Sequence, residues 1–238
     1  MTEGAFWQSV NEIKILTNKL RLKKYFGEKR GVYSSDFLNV MYSDDYRTIY
    51  DCAIKNFDFE ILLIDESFFQ FSFEDDCYSL AYYPRPSKFI QFDEWLLNIF
   101  VDNTNFNQEE FERFKEEMIV DGDIHSEYEQ FLSECETLLT ILPIRFDCDK
   151  SNYSEIYHPF CHLHVGLDNH IRIAFDKFIS PLTFFHFIIK NYFPDIFFYR
   201  DKKGVMKINE VIFLKDRLNS KSIPKEKFVN ENLIIHFT

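Results

Sequence analysis

Three of the seven histidines fall within seven residues of one stretch, Tyr157-His158-Pro159-Phe160-Cys161-His162-Leu163-His164-Val165-Gly166. Imidazole exchanges protons near neutral pH and also ligates metal ions, so no other part of the chain concentrates as much chemistry. The local pattern is that of a strand, whose side chains alternate between two faces. His162, His164 and Gly166 then share one face, and Leu163, Val165 and Leu167 the other. On a returning strand Ile171, Ile173 and Phe175 are apolar, while Arg172 and Ala174 point the opposite way. Register is fixed by the face that must be buried. A three-residue turn, Asp168-Asn169-His170, pairs Gly166 with Arg172 and His164 with Ala174 and keeps every apolar residue on one side. This predicts a polar face shared by His162, His164 and Arg172, with Cys161 excluded from it.

Three readings of that face stay open. It is a solvated face with hydrogen-bonded histidines. Or it is a site for a phosphate-bearing ligand, with the fixed guanidinium fork of Arg172 on the phosphate and the histidines handling protons. Or it holds a metal, since a His pair at i,i+2 on a strand can chelate zinc; a third ligand would then come from Asp147, Asp149 or His158, and spacing alone assigns none. Two further stretches supply walls. Arg145-Phe146-Asp147-Cys148-Asp149 places Arg145, Asp147 and Asp149 on one strand face. Tyr82-Tyr83-Pro84-Arg85-Pro86 places Tyr83 and Arg85 at the mouth of a cleft or simply ends a strand. The candidate catalytic residues are therefore His162, His164 and Arg172, and the candidate ligand-binding residues Arg145, His158, Tyr83 and Arg85. No cofactor is required, and zinc is the one ion the pattern admits. GxSxG, GxGxxG, P-loop and HExxH motifs do not occur.

The elements that must position these groups read as a mixture of helices and antiparallel strands. Residues 2–25 carry Phe6, Val10, Ile13, Leu16 and Leu20 at helical spacing, with Lys14, Lys19, Arg21, Lys23 and Lys24 toward the end. A second helix is predicted over about 44–56, capped by Ser43 or Asp44. Residues 59–65, 69–74 and 78–83 read as a three-strand meander turning at Glu74-Asp75-Asp76. Helices follow from Asp93, after Asn107 and from Ser126. Strands follow over 138–149, 161–167 and 170–175, and a helix opens at Ser180-Pro181. Residues 205–214 form a strand or a short helix, and 232–237 a terminal strand. The fold class is α+β, a single domain of mostly antiparallel sheet flanked by helices. Residues 1–30 form an N-terminal helical arm and 31–238 the α+β domain, with an internal lobe boundary near 121–125.

Charge is uneven: net +4 over residues 1–30, −19 over 31–150 and +3 over 151–238, for a total of −12 in 238 residues. An acidic body repels phosphates, which argues against binding bulk duplex DNA. The basic ends can still meet phosphate or an acidic protein partner. The 29 Phe and 13 Tyr fit ordinary core packing under a compositional bias, or a surface on which bases stack. Five cysteines without a CxxC pair argue against a disulfide framework or a zinc knuckle. No signal-peptide pattern or long apolar run is present, so a cytoplasmic protein without membrane attachment is expected.

The same residues carry a family resemblance. Pro143-Ile144-Arg145-Phe146-Asp147, His158-Pro159, His162-Leu163-His164-Val165-Gly166, Arg172-Ile173 and Ser180-Pro181-Leu182-Thr183 resemble the uncharacterised bacterial family called domain of unknown function 2290, across nearly the whole chain. The Arg-Ile-Pro step expected there stands here as Arg172-Ile173-Ala174. The resemblance implies a bacterial accessory protein of the kind found in mobile or defence loci and no defined chemistry. Two functions are expected from the whole reading. One is a defence- or toxin-type effector acting on RNA or a nucleotide through the His/Arg site. The other is a noncatalytic subunit that binds a protein partner encoded nearby through the basic N-terminal helix or an aromatic surface.

Overall fold

A computed structural model of the chain describes residues 1–43, 45–87, 90–100, 107–120, 123–134, 142–167, 171–197, 220–228 and 236–237. In chain order the elements are α1 (Glu3–Lys19), β1 (Lys23–Phe26), α2 (Ser35–Val40), α3 (Tyr46–Lys55), β2 (Ile61–Leu63), β3 (Phe68–Glu74), β4 (Cys77–Tyr83), α4 (Phe92–Phe100), α5 (Gln108–Val120), α6 (Ile124–Glu134), β5 (Ile144–Cys148), β6 (Cys161–Val165), β7 (Ile173–Phe175), α7 (Pro181–Tyr192), α8 (Pro194–Phe197) and β8 (His236–Phe237). The eight strands lie side by side in sequence order. All neighbours are antiparallel except β7 and β8, which run parallel. The fold is α+β with a mostly antiparallel sheet, as the alternating patterns predict.

The chain divides into two compact units, 1–84 with 142–238, and 85–141. Residues 121–125 lie inside the second unit. That unit packs Trp95 and Leu96 of α4 against Ile124, Tyr128 and Leu132 of α6. Asn107 caps α5 as its sequence predicts: its Oδ1 accepts from Glu110 N at 3.0 Å, and Glu110 returns a carboxylate to Asn107 N at 3.0 Å.

The first unit holds the whole sheet. One sheet face presents Phe69, Phe71, Leu80, Tyr82, Phe146 and Leu163 to Phe6, Val10 and Ile13 of α1 and to Phe184, Phe185, Ile188 and Ile189 of α7. Each such side chain contributes about 1.5–3 kcal/mol on burial. The stripe on α1 is thus part of the main core, and residues 1–30 are not an appendage. The helix is also shorter than 2–25. Arg21 adopts a left-handed φ of 59°, and the chain leaves the helix to form β1 against β2. Leu22, inside the expected helix range of 2–25, is buried at that turn. Of the basic residues there, Lys24 pairs with Glu66 at 2.5 Å, and the ammonium groups of Lys14 and Lys23 stand over the Phe26 ring.

The opposite sheet face is covered in part by α2 and α3, through Phe37, Ile49, Tyr50 and Ala53 packed on Phe59, Phe68, Ala81 and Tyr83. The short helix α2 has no counterpart in the sequence reading, because six residues are too few for a periodicity. Two buried acids hold it in place. Asp58 accepts from Lys29 Nζ at 2.5 Å, Ser34 N at 2.9 Å and Ser34 Oγ at 2.5 Å. Ser34 in turn caps α2 by accepting from Phe37 N. Glu60 accepts from Gly31 N at 2.9 Å and Phe71 N at 2.7 Å. Close approach makes Gly27 obligatory in this loop: a Cβ there would sit 1.7 Å from the Phe59 carbonyl oxygen.

Glu60 also sets a pH dependence. Burial pushes its carboxyl up to about 8, against the pull of the two backbone N–H donors and the Lys14 charge. The folded protein therefore keeps a proton that the unfolded chain releases near 4.5. Stability from this group is fully present below about pH 4.5 and is lost as the pH rises towards 8, by up to about 1.4 kcal/mol per pH unit. Glu60→Gln cannot titrate. Urea unfolding of both proteins from about pH 5 to about pH 8 should show the wild type losing stability relative to the variant. Parallel profiles would contradict a raised carboxyl.

Among the described residues no helix is long and apolar enough to cross a membrane. Residues 205–214 and the Asp168-Asn169-His170 turn lie outside the described residues.

Candidate functional site

The α2 side of the sheet carries two rows of side chains running across the strands. Ser72, Ser79, Asp147, His162 and Ala174 are successive cross-strand neighbours. Beside them lie Gln70, Ala81, Arg145 and His164. Ser79 and Ala81 are small, so the sheet leaves room above them. A cavity of about 340 Å³ opens there, walled by Tyr33, Phe37, Met41 and Tyr42 from the α2 region and by His158 and Arg172 from the other side.

Five predicted site residues, His158, His162, His164, Arg145 and Arg172, meet in this one cavity, and Tyr83 lines it as well. Burial pushes the Tyr83 hydroxyl up to about 12, so it stays protonated, with its ring stacked on Phe68 at 4.9 Å. Arg85 belongs to the second unit, where its Nε donates to Ser87 Oγ at 3.1 Å. Cys161 lies on the core face opposite Cys148, outside the cavity.

The hairpin register differs from the one expected. His162 faces Ala174, and Leu163 faces Ile173, a shift of two residues from the His164–Ala174 pairing. A two-residue shift preserves the alternation, so His162, His164 and Arg172 still share a face. That face is not solvated: His162 and His164 are 1% and 2% exposed.

Asp147 stands at the centre. Arg145 Nε donates to its Oδ2 at 2.8 Å, His164 Nε2 lies 3.3 Å from the same oxygen and His162 Nε2 3.8 Å. Burial works against its charge. The hydrogen bond from His164, the Arg145 guanidinium and the Ser79 hydroxyl outweigh it and hold the carboxyl well below the usual carboxylate range. His162 is pushed down to about 4, chiefly by burial, with the neighbouring His164 adding to the effect and Asp147 opposing it. It is therefore neutral at pH 7. Its Nδ1 lies 2.8 Å from the Pro159 carbonyl oxygen, which only accepts, so Nδ1 carries the proton and Nε2 a bare lone pair.

His158 closes the base of a tight turn in which Ser154 and His158 bridge each other. Its ring lies 4.8 Å from that of His162, and its Nε2 is 4.0 Å from Asp149 Oδ2. Burial, followed by the Arg172 charge, lowers its pKa. Asp149 accepts from the backbone and side chains of Ser151 and Asn152, which fixes the loop under His158. Among the described residues, three buried nitrogens in the cavity meet no hydrogen-bond partner: His158 Nδ1, His164 Nδ1 and Arg172 Nε.

The sequence reading missed Ser79, Gln70 and the α2 wall. The signal for Ser79 was present in β4, where Ser79 and Ala81 alternate with large Tyr78, Leu80 and Tyr82. Small residues on a face shared with histidines mark a hollow.

Fold and site together define a class: an α+β protein whose antiparallel sheet presents a buried Asp/His/Arg cluster to a cavity. The chain belongs to the family of uncharacterized conserved proteins DUF2290, whose family model matches residues 27–238. No curated protein and no solved structure matches it.

Proposed function

We propose that this chain is an enzyme that hydrolyses a phosphate ester of a nucleotide or of RNA in the cavity. The observation that carries the reading is convergence. Residues from β4, β5, β6, the 154–158 turn and the segment before β7 bring two guanidinium groups and three imidazoles to one hollow. Arg172 and Arg145 match phosphate oxygens, and the histidine wall handles the attacking water. Water adds to phosphorus, the P–O ester bond breaks, and the leaving oxygen takes a proton. A volume of about 340 Å³ suits one nucleotide or one RNA end. Duplex DNA does not fit such a hollow.

In the same reading the chain is a cytoplasmic effector of a bacterial defence or toxin-type system that works with a partner encoded nearby. The resemblance described from its motifs supports that setting. The purified chain should turn over bis(p-nitrophenyl) phosphate or cleave a labelled single-stranded RNA, and His158→Ala should slow the reaction without altering near-ultraviolet circular dichroism. A folded wild type that neither turns over these probes nor binds the RNA would remove the enzymatic reading and leave a noncatalytic partner-binding role.

A further inference from the structure

Asp147, His162 and His164 offer three ligand atoms that lie within 4.8 Å of one another. Two of the separations are 3.3 and 3.8 Å, both to Asp147 Oδ2. Ligands about 2.1 Å from a common tetrahedral ion stand about 3.4 Å apart. The set is therefore already close to the spacing a metal requires.

Three details turn proximity into a site. First, the tautomer of His162 is fixed. With Nδ1–H given to the Pro159 carbonyl, its Nε2 lone pair faces the Asp147 carboxylate with no proton between them. Two electron-rich atoms held this way offer a ready pair of ligand positions to a cation. A backbone carbonyl on the far nitrogen is also the usual support of a metal-bound imidazole. Second, His164 is 2% exposed and, among the described residues, its Nδ1 has no partner, so the proton that Nε2 gives to Asp147 can move to Nδ1 and leave Nε2 free to ligate an ion. Third, the three residues stand on adjacent strands β5 and β6, with Asp147 directly opposite His162, so the backbone ladder holds the geometry rigid.

We propose that Asp147, His162 and His164 bind a divalent first-row transition-metal ion, zinc or a close relative, with its remaining positions open to the cavity. Two nitrogens and one carboxylate oxygen suit such an ion better than the all-oxygen preferences of magnesium and calcium. Three protein ligands leave a place for water, as in catalytic rather than structural sites. Arg145 at the same Asp147 oxygen opposes a second positive charge, and that limits affinity. A carboxylate oxygen has lone pairs for both an Arg and an ion, so Arg145 also orients it. The ion would make His162 and His164 ligands rather than proton carriers and leave His158 as the imidazole free to exchange protons. The inference goes beyond the phosphate reading and does not depend on it.

The full chain, stripped with chelator, should bind Zn²⁺ at one ion per chain with a Kd on the order of 1 µM by calorimetry. Co²⁺ in its place should give visible absorption bands of a nitrogen- and oxygen-ligated ion, displaced by Zn²⁺. Asp147→Asn, which keeps the side chain's shape, and His162→Ala and His164→Ala should each weaken binding by about 100-fold or more. His125→Ala, in the second unit, should leave it unchanged. A folded wild type that binds neither ion overturns the proposal, as does Zn²⁺ binding that survives Asp147→Asn. If the alanine variants unfold, the wild-type Co²⁺ bands and Asp147→Asn still decide. Metal binding without turnover of a phosphate probe removes only the enzymatic reading. Undiminished turnover by chelated protein removes any part for the ion in the reaction, while the binding measurements alone decide the site.

Discussion

Arg172→Ala is expected to cut turnover of a phosphodiester probe by about 100- to 1,000-fold, the usual loss when one preorganised donor to a developing oxyanion is removed. The unfolding free energy should change by less than about 1 kcal/mol. These two expectations have one cause. Arg172 is half-buried at the cavity, yet among the described residues its Nε meets no acceptor. An Nε–H with no protein acceptor is a donor available to a ligand oxygen, and substituting the residue gives up no hydrogen bond from that atom. Arg172→Lys restores the charge but not the planar fork, so it should recover only part of the activity. Steady-state rates with chemical denaturation on all three proteins check the pair. A large loss of stability in Arg172→Ala would mean that the residue holds the hairpin together and not a ligand.

Asp58→Ala should carry the largest stability effect, about 3 kcal/mol. Removing one partner of a buried ion pair typically costs about 3–5 kcal/mol, because the other charge is stranded. Here the lower end applies. The Lys29 side chain is 33% exposed and can turn to water, whereas Asp58 is fully buried. What is left behind is the backbone N–H and hydroxyl of Ser34. Ser34 caps α2, so the loss should reach Phe37, Met41 and the cavity wall they form. The prediction is a lowered urea midpoint together with faster amide exchange over residues 33–41. Asp58→Asn, which keeps an acceptor for Ser34, should recover part of both. Destabilisation without faster exchange at α2 would separate Asp58 from the cavity.

Much of the site was legible because alternation along a strand is a local property. His162 and His164 on one face, Cys161 on the other and Ser180-Pro181 at the start of α7 all follow from two or three neighbouring residues. The face also survived an error in register, since the shift was an even number of residues. What was not legible was lateral. Nothing near Asp147 says that β5 lies between β4 and β6, so its place between Ser79 and His162 emerges only from the sheet. The sequence reading considered Asp147 as a ligand and had no spacing to choose it over Asp149 or His158. Nor does the pattern of α2 reveal a wall, because Asp58, 24 residues beyond the capping Ser34, holds it there. The end of α1 was misplaced for a related reason. Lys23 and Tyr25 continue a helical composition, and only pairing with Leu63 and Leu62 makes them a strand.

The insertion of 85–141 between β4 and β5 has a consequence for how the molecule assembles. Every other antiparallel pair from β2 to β7 joins strands close in sequence, so those contacts form at low entropic cost. Pairing Ser79 with Asp147 must close the long intervening segment, at about 2 kcal/mol more than a connection of about five residues. Nonlocal closures of this kind slow folding. The two halves of the cavity floor, one ending at Tyr83 and the other beginning at Ile144, meet only through this closure. The hollow is the seam where two stretches of sheet far apart in sequence join.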